Sequence, residues 1–234
     1  MQSRLLCAVM FSLSLFVADQ HMNAQSADVI LGRLMGNSLY KAAVERIEKD
    51  LTTGAYKPDI FNAGLSDLHT DQAGNISAIR KGRQPDRIVV IASANNNPIT
   101  VAAMTEIARA IQTEDIETKG TLLFAITSGP DSVKAVLENS SYKERIRWYV
   151  GLQNSDPVTV YSKPDSIGST VVQYGLQSIA VFDPHPKYLP DATGILAVPI
   201  EMHIPAIAMG VGETKPDFKG VQAALTAVLA MAGV

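Results

Sequence analysis

A chain of 234 residues with 47% hydrophobic and 18% charged residues has the composition of a sequence that buries a core. One cysteine excludes a disulfide scaffold and a cysteine-based zinc site, and a net charge of −3 gives no electrostatic footprint for nucleic acid. Four histidines leave room for one histidine-rich metal site at most.

The N-terminus reads as a targeting segment. Arg4 supplies a positive charge, Leu5 to Ala18 (LLCAVMFSLSLFVA) runs without one, and small residues follow at Ala24, Ser26 and Ala27. This is the three-part layout of a secretory signal peptide. The run is shorter than the about 20 apolar residues that span a bilayer, and it lacks the polar face that a buried amphipathic helix would keep. Residues 1–24 are therefore expected to be removed during export to the periplasm or the medium. Cys7 and His21 would leave with them, and no later run is long enough to act as a membrane anchor.

Residues 25–234 are expected to form one domain. Leu31, Leu34, Leu39, Ala42, Ala43, Ile47 and Leu51 recur at helical spacing and predict a helix over 29–51, with Gly54 just past its end. Turn residues at 71–75 (DQAGN) precede a strand at 76–79, and 82–86 (GRQPD) reads as another turn. Arg87 to Ala92 (RIVVIA) is a β-branched run of the kind buried on both faces of a parallel sheet. Asn97 is a good helix N-cap and Pro98 suits the first helical position, predicting a helix to about Gln112.

A second buried strand follows at 121–127 (TLLFAIT). Ser128-Gly129-Pro130-Asp131 then opens a short helix to about Asn139. Strands are predicted at 146–152 and 204–210, and a closing helix at 217–232. Residues 155–203, with six prolines, read as loops and short edge strands. The alternation predicts an α/β fold: a three-layer sandwich around a mixed, mainly parallel central sheet.

Several stretches, in this order, resemble the di-zinc exopeptidase superfamily of aminopeptidases, dipeptidases and related carboxypeptidases. TDQAGNISA (70–78) is similar to the strand pair that precedes its active site. Residues 88–92 are similar to the strand leading into its A-H-x-D motif, and NNPITVAAMTEIARAI (96–111) to the helix that follows its metal-bridging aspartate. Residues 121–137 resemble the surroundings of its Glu-Glu pair, and IPAIAMGVG (204–212) a late strand before its last histidine. The resemblance implies two zinc ions held by histidines and carboxylates, with a glutamate activating water.

Carried onto this chain, the resemblance places the first histidine at Ser93, its aspartate partner at Asn95 and the bridging aspartate at Asn96, beside Asn97. The Glu-Glu pair falls on Ser128 and Gly129, the next carboxylate on Gln153 or Asn154, and the last histidine within ETKPDF (213–218). The ligand types are missing from all of these matched positions. Neutral amides and hydroxyls cannot offset the repulsion of two close dications. The expectation is a zinc-exopeptidase-like fold without catalytic residues, metal or cofactor: an exported pseudo-peptidase with a binding or scaffolding role. Ser93, Asn95, Asn96, Asn97, Ser128, Gly129 and Asn154 would line its vestigial pocket. The lid domain that the family often inserts after about residue 174 has too little chain here to fold, since a domain needs at least about 50 residues.

The alternative is an active metal-dependent hydrolase. Asp183-Pro184-His185 and Glu201-Met202-His203 share acid-x-His spacing, which in a strand directs both side chains to one face and could hold zinc. His69-Thr70-Asp71 has similar spacing but comes too early in the strand order. Ser93 and Ser128 lack the G-x-S-x-G elbow of serine hydrolases. The helix N-termini near Asn97 and Pro130 should open on one sheet edge, where a peptide carboxylate or another small anion could bind without metal.

Overall fold

The computed structural model describes residues 37–53, 63, 65–71, 74–139, 141–155, 160–162, 187–188, 194–213 and 217–233. The expected signal peptide, Asp183 and His185 lie outside them. In chain order the elements are α1 (Asn37–Thr53), β1 (Ser66–Thr70), β2 (Ile76–Arg80), β3 (Gln84–Ala94), α2 (Pro98–Thr113), β4 (Gly120–Thr127), α3 (Pro130–Leu137), β5 (Ile146–Gln153), β6 (Val160–Ser162), β7 (Lys187–Tyr188), α4 (Ala197–Glu201), β8 (Ala206–Gly210) and α5 (Phe218–Ala232).

The strands form one mixed sheet in the order β1-β2-β4-β3-β5-β8-β6-β7. The centre β4-β3-β5-β8 is parallel throughout, while β2 runs antiparallel to both β1 and β4, and β6 antiparallel to β8. The side chains of β3 alternate between two cores. Val89 and Ile91 join α1, α2 and α5 on one face. Ile88, Val90 and Ala92 join α3 and α4 on the other. Three layers follow from that alternation, because a strand that is apolar on both faces must be covered on both.

The long central elements lie where the sequence places them. The differences are local. The turn expected at 82–86 gives way to strand from Gln84, because Gln84 N donates to Lys119 O at 2.7 Å and extends the β3–β4 ladder. Ser66–Thr70 is an edge strand, which puts His69 on β1. Leu68 is its sole aliphatic residue, too little for an apolar period to show in the sequence. Residues 197–201 form a short helix and β8 starts only at Ala206, so Glu201 ends a helix and His203 sits in a turn with φ +58°. The strand-like geometry assumed for the Glu201/His203 pair is therefore absent. The predicted start of α1 at 29–36 lies outside the described residues.

Candidate functional site

Chain order and strand order diverge at the middle of the sheet. From β3 the chain crosses through α2 to β4 on one side; from β5 it continues to β8 on the other. Ligands of open α/β sheets bind beyond the carboxyl ends of the strands at such a switch point. Register places the end of β3 level with the ends of its neighbours: Ala94 pairs with Thr127 of β4, and Ala92 with Gly151 of β5. The turn after β3, residues 128–129 after β4 and Asn154 after β5 therefore emerge on one edge. All seven predicted pocket residues belong to this edge.

Their side chains are committed to structure to different degrees. Ser93 is fully buried (0% exposed), and its Oγ lies 2.8 Å from Thr100 Oγ1 on α2. Its side chain is a strap between sheet and helix and is not presented at the edge. Asn97 is the N-cap of α2: its Oδ1 accepts from Ile99 N at 3.1 Å and Thr100 N at 3.2 Å, as a cap asparagine should. Asn95 N donates to Thr127 O at 2.9 Å and Asn97 N to Ala94 O at 3.2 Å, which fixes a tight turn with Asn96 exposed at its tip.

Ser128 is exposed and shares a 2.6 Å hydrogen bond with Ser132 one helical turn on. Gly129 precedes α3 in extended backbone, gives it no side-chain cap, and faces open space where a side chain would begin. Asn154 is exposed, next to Gln153, whose Nε2 donates to Ser155 Oγ at 3.2 Å. Thr100, Ser132 and Ser155, which complete these contacts, carry no sequence motif. Each lies within seven residues of its partner, so local turns bring them together.

The donor set does not fit zinc. A hydroxyl locked to a threonine at Ser93, neutral carboxamides at Asn95 and Asn96, and Gly129 stand where the resemblance needs an imidazole and carboxylates. After β8, Asp217 Oδ1 accepts from Gly220 N at 3.3 Å at the start of α5, and Glu213 is exposed. Among the described residues no group of three or more His, Cys, Asp or Glu side chains is placed to hold a metal ion. Glu201 and His203 are exposed just before β8, at the start of a parallel strand and thus at the edge opposite this cleft.

No family model matches the chain, and no curated protein matches it. Solved structures do. The LapA aminopeptidase of Legionella pneumophila superposes with a TM-score of 0.58 at 11% identity, covering 89% of this chain and 71% of that one. A glutaminyl cyclase of Macrostomum lignano gives 0.60 at 10% identity, covering 88% and 90%. BSAP, a zinc aminopeptidase of Bacillus subtilis, gives 0.51 at 15% identity over 67% of this chain, which spans only 48% of that protein's length. The likeness establishes the fold: an α/β sandwich of the zinc-exopeptidase type.

Proposed function

We propose that the chain is an exported binding module with a zinc-exopeptidase-like fold and no metal or peptidase chemistry at its switch-point cleft. The observation that carries this reading is the commitment of Ser93, matched to the first histidine, to a buried hydrogen bond of 2.8 Å, beside neutral carboxamides at Asn95 and Asn96 where the resemblance needs carboxylates. Asn95, Asn96, Gln153 and Asn154 bring carboxamides to this edge of the sheet. Each carboxamide both donates and accepts, which suits a peptide backbone or a small carboxylate. Two of the solved neighbours are aminopeptidases, which supports a peptide as ligand class. Export rests on the apolar run after Arg4. Among the described residues no helix is long and apolar enough to cross a membrane.

Metal analysis of the purified protein tests the reading, together with hydrolysis of aminoacyl p-nitroanilides and melting with added zinc or chelator. Metal held by the native state must stabilise it. The expected result is substoichiometric zinc, no hydrolysis, and a Tm that ignores both additives. Stoichiometric zinc, lost together with activity in His203→Ala, would instead establish the metal hydrolase built around Asp183, His185, Glu201 and His203.

A further inference from the structure

The opposite edge of the sheet, where the parallel strands begin, differs in character from the cleft. A cavity of about 310 Å³ opens there between the sheet and the end of α5, lined by Arg87, Lys119, Arg147, Trp148, Met231 and Gly233 among others. We propose that it binds a small organic anion with a planar apolar body: the anionic group between Arg87, Lys119 and Arg147, the body against Trp148 and Met231.

Both arginines owe their place to breaks in sheet register. Gln84 pairs with Gly120 and Ile88 with Thr121, so Pro85, Asp86 and Arg87 are extra residues of β3. Ile88 pairs with Ile146 and Val89 with Trp148, so Arg147 is the extra residue of β5. Bulges re-aim side chains that a regular ladder would hold to one face. Arg145 secures the first break by donating from Nη1 to Pro85 O at 3.1 Å.

Cations elsewhere at this end of the sheet are engaged: Arg83 pairs with Glu117 at 3.4 Å, and Arg145 is tied to backbone. Among the described residues the exposed side chains of Arg87 and Lys119 make no hydrogen bond or ion pair. Arg147 gives only Nη1, to Glu144 O at 3.2 Å, and keeps the rest of its guanidinium donors. No lining residue is acidic. Three cations thus share one concavity in a chain whose net charge is −3. Mutual repulsion disfavours that arrangement unless an anion relieves it.

The C-terminal carbonyls of α5 also face this end and favour cations. Lys119 runs against Gly233, with its Cδ 3.3 Å from where a β-carbon would stand, and offsets them. The anion is therefore assigned chiefly to the two arginines. Their planar donor forks match the oxygens of a carboxylate or phosphate. The half-buried Trp148 supplies an aromatic face of the kind that small-molecule pockets use.

Trp148 is the single tryptophan of the chain, so its emission reports this site alone. Titration with phenyl phosphate is expected to change that emission saturably and to raise Tm. Inorganic phosphate should bind more weakly, and benzyl alcohol should give no saturable response. Arg87→Gln combined with Arg147→Gln, both at exposed positions, should weaken phenyl phosphate by about tenfold or more, with unchanged circular dichroism. Lys119→Gln provides a second, single variant expected to act in the same direction. A response that does not saturate, or that persists unchanged in both variants, would overturn the site. Inorganic phosphate binding as tightly as phenyl phosphate would overturn the organic ligand. Neither outcome bears on the metal content of the other edge, so this proposal and the proposed function fail separately.

Discussion

Tyr149 carries a phenol into the apolar layer between the sheet and α3 and α4, where it is 1% exposed and its hydroxyl finds no hydrogen-bond partner among the described residues. An unpaired buried hydroxyl costs free energy, whereas a phenyl ring of the same shape would not. Tyr149→Phe is therefore expected to stabilise the protein by about 1 kcal/mol in urea denaturation. Burial also pushes the phenol's pKa well above its ordinary 10.0. The folded state then retains a proton that the unfolded chain releases above about pH 10, so this contribution to stability holds below that pH and is lost as pH rises beyond it. The stability difference between Tyr149→Phe and the parent should widen from about pH 10 upward. A constant difference across that range would show that the hydroxyl is not buried.

The same residue-level logic separates the pocket positions. Ser93 has no room: Ser93→His must displace neighbours in a filled core and sever the 2.8 Å bond to Thr100, a loss of about 1–3 kcal/mol or more. At Gly129 a new side chain meets nothing within 4 Å. Gly129→Glu should stay within about 0.5 kcal/mol of the parent. Equal urea midpoints for the two variants would contradict the buried placement of Ser93. Reinstating acidic groups at the rim would therefore be tolerated, while the histidine position is closed by the core itself.

Among the elements, those with strong local grammar were legible. The β-branched run of β3, the Asn97-Pro98 start of α2, the apolar β4 and the closing helix α5 each bury enough side chains to impose a period. Asn97→Ala removes both cap bonds of α2 and should cost about 0.5–2 kcal/mol, read as a lowered urea midpoint with an unchanged slope. Gly82 works through space instead. A β-carbon there would stand 2.2 Å from Gly120 O, so Gly82→Ala must open the β3–β4 junction and should destabilise more than the cap variant does. The sequence marks Gly82 only as a turn glycine, because the contact it protects comes from a strand that follows much later. For the same reason the site was legible only in part. The resemblance points to Ser93, Asn96 and Ser128, which lie at or beside the ends of recognisable strands. The cationic cavity depends on register slips between β3, β4 and β5, which no single stretch encodes. β1 has a single aliphatic residue and α4 is only five residues long, so neither shows a period.

At the scale of the molecule, the sheet presents two dissimilar ends joined by a rigid middle. One end is a carboxamide-rich edge on which Ser93 and Asn97 are committed to a strap and a cap; the other holds a cationic cavity beside two breaks of register. With β3 rising about 3.3 Å per residue, Arg87 and Asn95 stand roughly 25 Å apart. Between them β4 is buried along its whole length, and Ile88 to Ser93 of β3 are buried under helices on both faces. Opening any of these strands would expose both cores together, so their amides should exchange only through global unfolding. β1 is different. Among the described residues it pairs on one side only, with β2, its register breaks between Ser66 and His69, and no residue of its SDLHT segment is fully buried. Few contacts resist its detachment, and local opening there should cost far less than the global value. Amide exchange by mass spectrometry at graded denaturant is expected to give peptides of β3, β4 and β5 a common slow limit that falls with denaturant as the global stability does. Peptides of β1 should exchange faster and be insensitive to low denaturant. Equal protection of β1 and β3 would mean that the edge hairpin belongs to the cooperative core.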